Sequence, residues 1–169
     1  MKVDKLRSGV SLLESLIVIA LIGIMAVFLT TSYIGVVRYS DLDSAAKVIE
    51  ADLKLAQAKA MAGEENFNWG ICFRNGGQQL YNTVTSDWPD YLNCPSDPDQ
   101  TPDGVKQTSY LGGKLTFAEP QDGSSTMIEF QKITGNRVLI TSGDVDIIVT
   151  DGTNTQTVTV SPSGKIYRQ

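Results

Sequence analysis

The sequence predicts an α+β fold in which a long N-terminal helix packs on an antiparallel, β-rich C-terminal domain. Residues 10–30 are apolar almost throughout, and no proline occurs before Pro89, so one helix can run from Val10 to about Ala62. Beyond Asn66 the apolar period changes to two, as in strands. The predicted segments are a basic head (1–9), a transmembrane half of the helix (10–30), an amphipathic half (31–62) and a β-rich globular domain (63–169).

The apolar segment 10–30 has the length of a membrane-spanning helix. Its 21 residues would reach about 31 Å at ~1.5 Å per residue, close to the ~30 Å hydrocarbon core of a bilayer. The head carries Lys2, Lys5 and Arg7 against Asp4, which by the positive-inside rule keeps it cytoplasmic and places the remaining chain across the membrane. A secretory signal peptide is the alternative, but the apolar run is long and no small-x-small cleavage site follows it.

The amphipathic half of the helix has one apolar stripe that needs a cover. Apolar residues recur there at steps of three and four: Leu42, Ala45, Ala46, Ile49, Leu53, Ala56 and Ala60. The charged residues fall largely off this stripe, and Gly63 is the predicted end of the helix.

Alternating residues predict that strands follow the helix. Phe67, Trp69, Ile71 and Phe73 alternate with polar or small residues. Turn signals such as Asp122-Gly123 and Asp151-Gly152 separate the other candidates, which are residues 79–85, 114–119, 126–133, 137–141, 145–150 and 156–161. Seven short strands could cover the stripe and close one core.

Composition argues against an enzyme. The chain has no histidine, which removes the commonest general base and metal ligand, and no catalytic or metal-binding constellation replaces it. Without residues 1–9 the chain keeps 11 basic and 18 acidic side chains, a net charge of −7. Such an acidic chain is a poor candidate for non-specific nucleic-acid binding.

The two cysteines, Cys72 and Cys94, predict a disulfide. An even pair in a domain outside the cytoplasm is usually bridged, and a bridge of this span contributes about 3 kcal/mol in the chain-entropy model. Two separate buried thiols are the alternative, because Cys72 lies in a strand-like run.

The junction between head and helix resembles the class III leader of type IV pilins and pseudopilins. Gly9 precedes the apolar run and Glu14 is the fifth residue after it; Val10 departs from the Phe or Met that the family most often has. The resemblance implies that a prepilin peptidase cuts between Gly9 and Val10 and that the new amine of Val10 is methylated. It also implies that Glu14 meets the amino terminus of a neighbouring subunit during assembly. Without that context, Glu14 facing interfacial water is the alternative.

The order of a long helix, strands only and a terminal VSPSGKIYR resembles the GspH/FimT branch of minor pilins and pseudopilins. Major type IV pilins commonly have a helix-bending proline near the end of the membrane segment, and this chain has none. The resemblance implies a pilin-like structural subunit of a type IV filament that serves type II protein secretion or type IV pilus assembly. The implied partners are other pilin or pseudopilin subunits, the prepilin peptidase, a membrane assembly platform and the cytoplasmic membrane. The C-terminal domain would lie outside the cytoplasm.

An acidic, proline-rich stretch, SDWPDYLNCPSDPDQTPDG, stands between two of the predicted strands. Calcium is the sharper hypothesis for it, because hard oxygen ligands suit that ion. The EF-hand spacing is broken, since Thr101 and Pro102 stand where Asp and Gly are needed. A solvated loop stiffened by proline and pinned by Cys94 is the favoured alternative, so no cofactor is predicted.

The C-terminal GKIYR offers a possible DNA contact through Lys165 and Arg168, since some relatives of this branch in competence systems present a basic tail to DNA. The alternative function is therefore a tip-located subunit that binds DNA or another ligand. Against it, the remaining chain is acidic, and the same residues suit a last strand with solvated basic side chains.

Overall fold

The computed structural model describes residues 11–76, 78–85, 105–112, 114–138 and 142–169. For residues 27–34, 76 and 78–83 it describes the backbone alone. Contacts divide the chain into two units, one ending at Arg38 and one spanning Tyr39–Gln169. The elements are α1 (Leu12–Ala62), a 3₁₀ turn (Glu64–Asn66), β1 (Trp69–Gly76), β2 (Gln78–Thr85), β3 (Val105–Tyr110), β4 (Thr116–Glu119), β5 (Ser125–Phe130), β6 (Val145–Thr150), β7 (Thr155–Val160) and β8 (Ile166–Arg168).

The helix α1 contains 51 residues and ends where the sequence predicts. No proline interrupts its hydrogen bonds. It stops at Gly63, whose left-handed backbone (φ 66°, ψ 27°) is the conformation that glycine tolerates best. The N–H groups of Gly63 and Ile133 donate to the carbonyl of Ala60, at 3.0 and 2.9 Å. These bonds satisfy a carbonyl that the last helical turn leaves without an intrahelical partner.

The stripe predicted on the second half of α1 forms the core of the second unit. The residues Leu42, Ala46, Ile49, Leu53, Ala56 and Ala60 are each at most 1% exposed, and Ala45 borders them partly buried. The three- and four-residue spacing therefore identified the buried face of the helix.

Two four-stranded antiparallel sheets cover this face. The first has the order β3-β2-β1-β5 and the second the order β4-β6-β7-β8. Trp69, Ile71 and Phe73 of β1 enter the core, as their alternation predicts. Phe73 and Phe117 join the two sheets through an edge-to-face contact with ring centroids 5.8 Å apart.

The observed strands differ from the predicted ones at three places. The edge strand β3 was not predicted at all. The strand predicted over residues 126–133 ends at Phe130, because the chain turns at Gln131 and Ile133 adopts a φ of 73°. Within residues 137–141, Arg137 forms one isolated bridge with Phe130, Val138 is not in a strand, and 139–141 lie outside the described residues.

A carboxylate is buried on the outer face of the first sheet. Glu129 is 6% exposed, on the face that also carries a small apolar cluster around Cys72 and Val84. Asn68 Nδ2 donates to Glu129 Oε1 at 2.9 Å. Burial raises the pKa of Glu129 above its ordinary value, and the bond from Asn68 partly opposes the rise. The fold therefore disfavours the ionised form.

We expect Glu129→Gln to stabilise the chain at pH 7 and not at pH 4. A raised carboxyl pKa in the folded state means that stability is lost as the pH rises from the ordinary pKa towards the raised one. Glutamine removes this loss and keeps an oxygen for Asn68. Thermal unfolding at both pH values measures the difference, with the exposed Asp122→Asn as the control. An equal effect of Glu129→Gln at pH 4 and pH 7 would contradict the expectation.

Candidate functional site

The first half of α1 presents apolar side chains on every side. Its large apolar residues between 11 and 26 are 49–83% exposed: Leu12, Leu13, Leu16, Ile17, Val18, Ile19, Leu21, Ile22, Ile24 and Met25. Among the described residues, no helix meets the length and hydropathy needed to cross a membrane. Fully burying one such side chain is worth about 1.5–3 kcal/mol, so this surface favours association with another apolar surface.

Glu14 is the one ionisable residue of this segment, and it lies in the first turn of α1 with its side chain exposed. A carboxylate is favourable near a helix N-terminus, where backbone N–H groups carry partial positive charge. Gly9 and Val10, the predicted cleavage junction and methylation site, lie outside the described residues. Both roles stay predictions.

A second apolar row lies on the exposed face of the second half of α1. Val48, Ala51, Leu55 and Ala58 follow one another at steps of three and four, so they share one side of the helix. Val48 is 52% and Leu55 53% exposed. We call these four residues the outer row. The outer row was not predicted from the sequence, although it follows the same three- and four-residue spacing as the buried stripe.

The two basic residues of the predicted tail, Lys165 and Arg168, lie in different surroundings. Arg168 Nη1 lies 2.6 Å from Asp43 Oδ1, and Arg168 Nε lies 3.8 Å from Glu50 Oε2. Lys165 stays exposed, with its Nζ 5.5 Å from the ring centroid of Tyr167. Arg168 thus fastens the last strand to α1, and no observation on the described residues favours DNA contact.

Other contacts support the same attachment of the tail. Gln57 Nε2 of α1 donates to the carbonyls of Gly135 and Gly164, at 2.9 and 2.8 Å. Tyr167 donates its hydroxyl proton to Asp144 Oδ2 at 2.9 Å, and this bond raises the pKa of Tyr167. Asp43 and Glu50 lie seven residues apart on one side of α1, but no local pattern in the sequence connects them to Arg168.

Cys72 is disulfide-bonded and 2% exposed. Cys94, the only other cysteine of the chain, lies outside the described residues, so the pairing itself stays a prediction. The acidic loop with the calcium hypothesis also lies there. In the part of the chain that the structure describes, no group of three or more acidic, cysteine or histidine side chains could hold a metal ion.

Neither a family model nor a curated protein matches the chain. Among solved structures, it is similar to the type IV minor pilin FimU of Pseudomonas aeruginosa, with a TM-score of 0.49 and 11% sequence identity. The match covers 78% of this chain and 90% of that one. This similarity is too low to assign a function.

Proposed function

We propose that the chain is a membrane-inserted structural subunit of a type IV filament, either a minor pilin or a pseudopilin. One observation carries the proposal: Gly9 and Glu14 bracket the start of a helix whose apolar side chains are exposed on every side. This arrangement combines a cleavable junction with a segment that needs an apolar environment. The filament would serve type II protein secretion or type IV pilus assembly.

The apolar segment has two successive environments in this proposal. Before assembly, residues 10–30 hold the subunit in the cytoplasmic membrane, with the β-rich domain outside the cytoplasm as the basic head requires. During assembly the same segment packs against other subunits. When the segment moves from lipid to a bundle of packed helices, its apolar side chains stay out of water. In neither environment is the apolar surface of α1 exposed to solvent, as it is in the isolated chain.

Glu14 has a specific role in this assembly. A carboxylate enclosed among apolar helices is unfavourable unless it is paired and hydrogen-bonded. Cleavage after Gly9 would create an amine at Val10, four residues before Glu14. The amine of one subunit can therefore neutralise Glu14 of its neighbour, which makes removal of the head a condition for tight packing.

Processing tests the proposal directly. We expect the mature protein to begin at Val10 when the chain is expressed with a prepilin peptidase, with its mass reduced by residues 1–9. Gly9→Val should leave the full-length precursor, because a branched side chain replaces the hydrogen atom beside the cut bond. Ser8→Ala is the matched control and should be processed normally. Intact-protein mass spectrometry reads all three, and a wild-type protein that still begins at Met1 would rule out the proposed class.

A further inference from the structure

The side-chain amide of Asn75 joins the two sheets inside the second unit. Asn75 lies near the end of β1 and is 6% exposed. Its Nδ2 donates to the carbonyl of Phe117 in β4 and to that of Pro120, just beyond β4, at 2.7 and 2.8 Å. A carbonyl oxygen can only accept a hydrogen bond, so both contacts require the NH₂ end of the amide.

These two bonds lie where β4 is irregular. Its pairing with β6 shifts between Phe117 and Glu119, and a bulge of this kind locally disrupts the hydrogen bonds of the ladder. A backbone carbonyl buried without a donor is costly. The side chain of Asn75 supplies two donors at this place, which an ionised carboxylate of the same shape could not do.

The residue after Asn75 gives this amide a possible reaction. Gly76 follows it, and no other asparagine of the chain precedes a glycine. With no Cβ atom to hinder it, the backbone nitrogen of Gly76 can attack Cγ of Asn75. A bond forms between these two atoms, the bond from Cγ to Nδ2 breaks, and ammonia leaves with the proton of the Gly76 N–H group. Water then opens the five-membered ring to give aspartate or isoaspartate.

The closed fold opposes this reaction. Ring closure needs a ψ at Asn75 far from the value of about +135° in an antiparallel strand. The backbone of Asn75 is held on both sides, because its N–H donates to the carbonyl of Ser124 at 3.1 Å and its carbonyl accepts from the N–H of Gly123 at 2.7 Å. The departing nitrogen must also give up its bonds to the second sheet. The reaction therefore requires β1 to open.

We propose that Asn75 is a conditional deamidation site, which reacts only when β1 separates from β4 and whose products weaken the closed fold. In aspartate an oxygen atom replaces Nδ2 and faces two carbonyl oxygens that it cannot bond when ionised. Isoaspartate adds a methylene group to the main chain of β1, where Asn75 pairs with Gln79 of β2. A chain that opens often is thereby driven further towards unfolding, whichever filament it serves.

Peptide mass spectrometry of the full chain in detergent tests the protection. At mildly alkaline pH the native state should deamidate at Asn75 at least about a hundredfold more slowly than the chain in urea, because the reaction waits for local opening. Thr155→Gly, which places a glycine after the exposed Asn154, is the matched control. Its Asn154 should react at similar rates in both states. A smaller ratio at Asn75, or equal protection of Asn154, would overturn the proposal.

The stability of the reacted chain tests the consequence. Wild-type protein aged in urea and refolded by dilution is exposed to protease at increasing urea concentrations. The reacted Asn75 peptide should leave the resistant fraction at roughly 1–2 M less urea than the intact one, because two buried carbonyls lose their donor. Asn75→Asp should lower the unfolding temperature by roughly 6–12 °C, and the exposed Asn136→Asp should hardly change it. Equal resistance of reacted and intact chains would show that the proposal is wrong.

Discussion

Glu14→Ala is expected to remove the subunit from filaments while leaving its fold intact. If the carboxylate of Glu14 neutralises a neighbour's amino terminus, its loss leaves a charged amine unpaired among apolar helices. Breaking a buried ion pair in this way costs about 3–5 kcal/mol, and each 1.4 kcal/mol is about a tenfold change in the equilibrium constant. Incorporation into filaments should therefore fall by more than about a hundredfold. Quantifying the variant in purified filaments against the wild type gives the measurement.

The controls for Glu14→Ala follow from the two units of the chain. Every core residue of the second unit follows Tyr39, so its unfolding temperature should not change. Membrane insertion should not suffer either, because a carboxylate leaves an apolar segment. Ser15→Ala, the next residue along α1, should assemble normally. Wild-type amounts of Glu14→Ala in filaments would show that the carboxylate has no part in assembly.

Gly70→Ala is expected to be the most destabilising single-methyl change in the first sheet. A Cβ atom at Gly70 would lie 2.5 Å from the carbonyl oxygen of Ile128 and 2.9 Å from the Cα of Glu129, both backbone atoms of β5. Backbone cannot rotate away as a flexible side chain can, so β1 and β5 must separate. Overpacking of this kind costs about 1–3 kcal/mol and occasionally more, and a cost of about 3 kcal/mol corresponds to a fall in unfolding temperature of roughly 6–12 °C.

Gly112→Ala is the matched control for Gly70→Ala. A Cβ atom at Gly112 would meet nothing within 4 Å, so the added methyl group should leave stability unchanged or slightly raise it. Circular dichroism during thermal unfolding compares the two variants. If both glycines tolerate alanine equally, the close approach of β1 to β5 does not limit the sheet.

The helix could be predicted from sequence because its determinants are local. A three- and four-residue spacing, the absence of proline and one glycine at the end were sufficient to place the apolar stripe that begins at Leu42 and ends at Ala60 in the core. The alternation at Trp69, Ile71 and Phe73 was equally direct, because every second residue of a half-buried strand faces the core. The turns at Gly123 and Gly152 likewise require a positive φ that glycine supplies.

The errors in strand prediction arose where the pattern of apolar residues does not match the observed strands. β3, with the sequence VKQTSY, has one aliphatic residue and is an edge strand, so it lacks the pattern of a buried strand. The apolar Ile133 continued the strand-like pattern beyond the end of β5, because nothing in the sequence indicates that the chain turns at Gln131. Tertiary packing determines such positions, and β propensity alone does not.

The functional residues likewise differ in whether a local sequence pattern points to them. The junction at Gly9 and Glu14 was predicted from a short, local spacing, and its role stays a prediction. The role of Arg168 could not be predicted, because the tail suggests a free basic side chain until its carboxylate partners on α1 are known.

The ion pair between Asp43 and Arg168 joins residues 125 positions apart in the sequence. A ribosome adding about 5–20 residues per second needs roughly 6–25 s to cover that interval. Until the last strands emerge, the helix exposes Leu42, Ile49 and Leu53, which belong to a core that does not yet exist. If residues 10–30 enter the membrane as proposed, they do so before the second unit is synthesised. Early insertion would hold the nascent helix at the bilayer surface and delay aggregation until the two sheets can close over it.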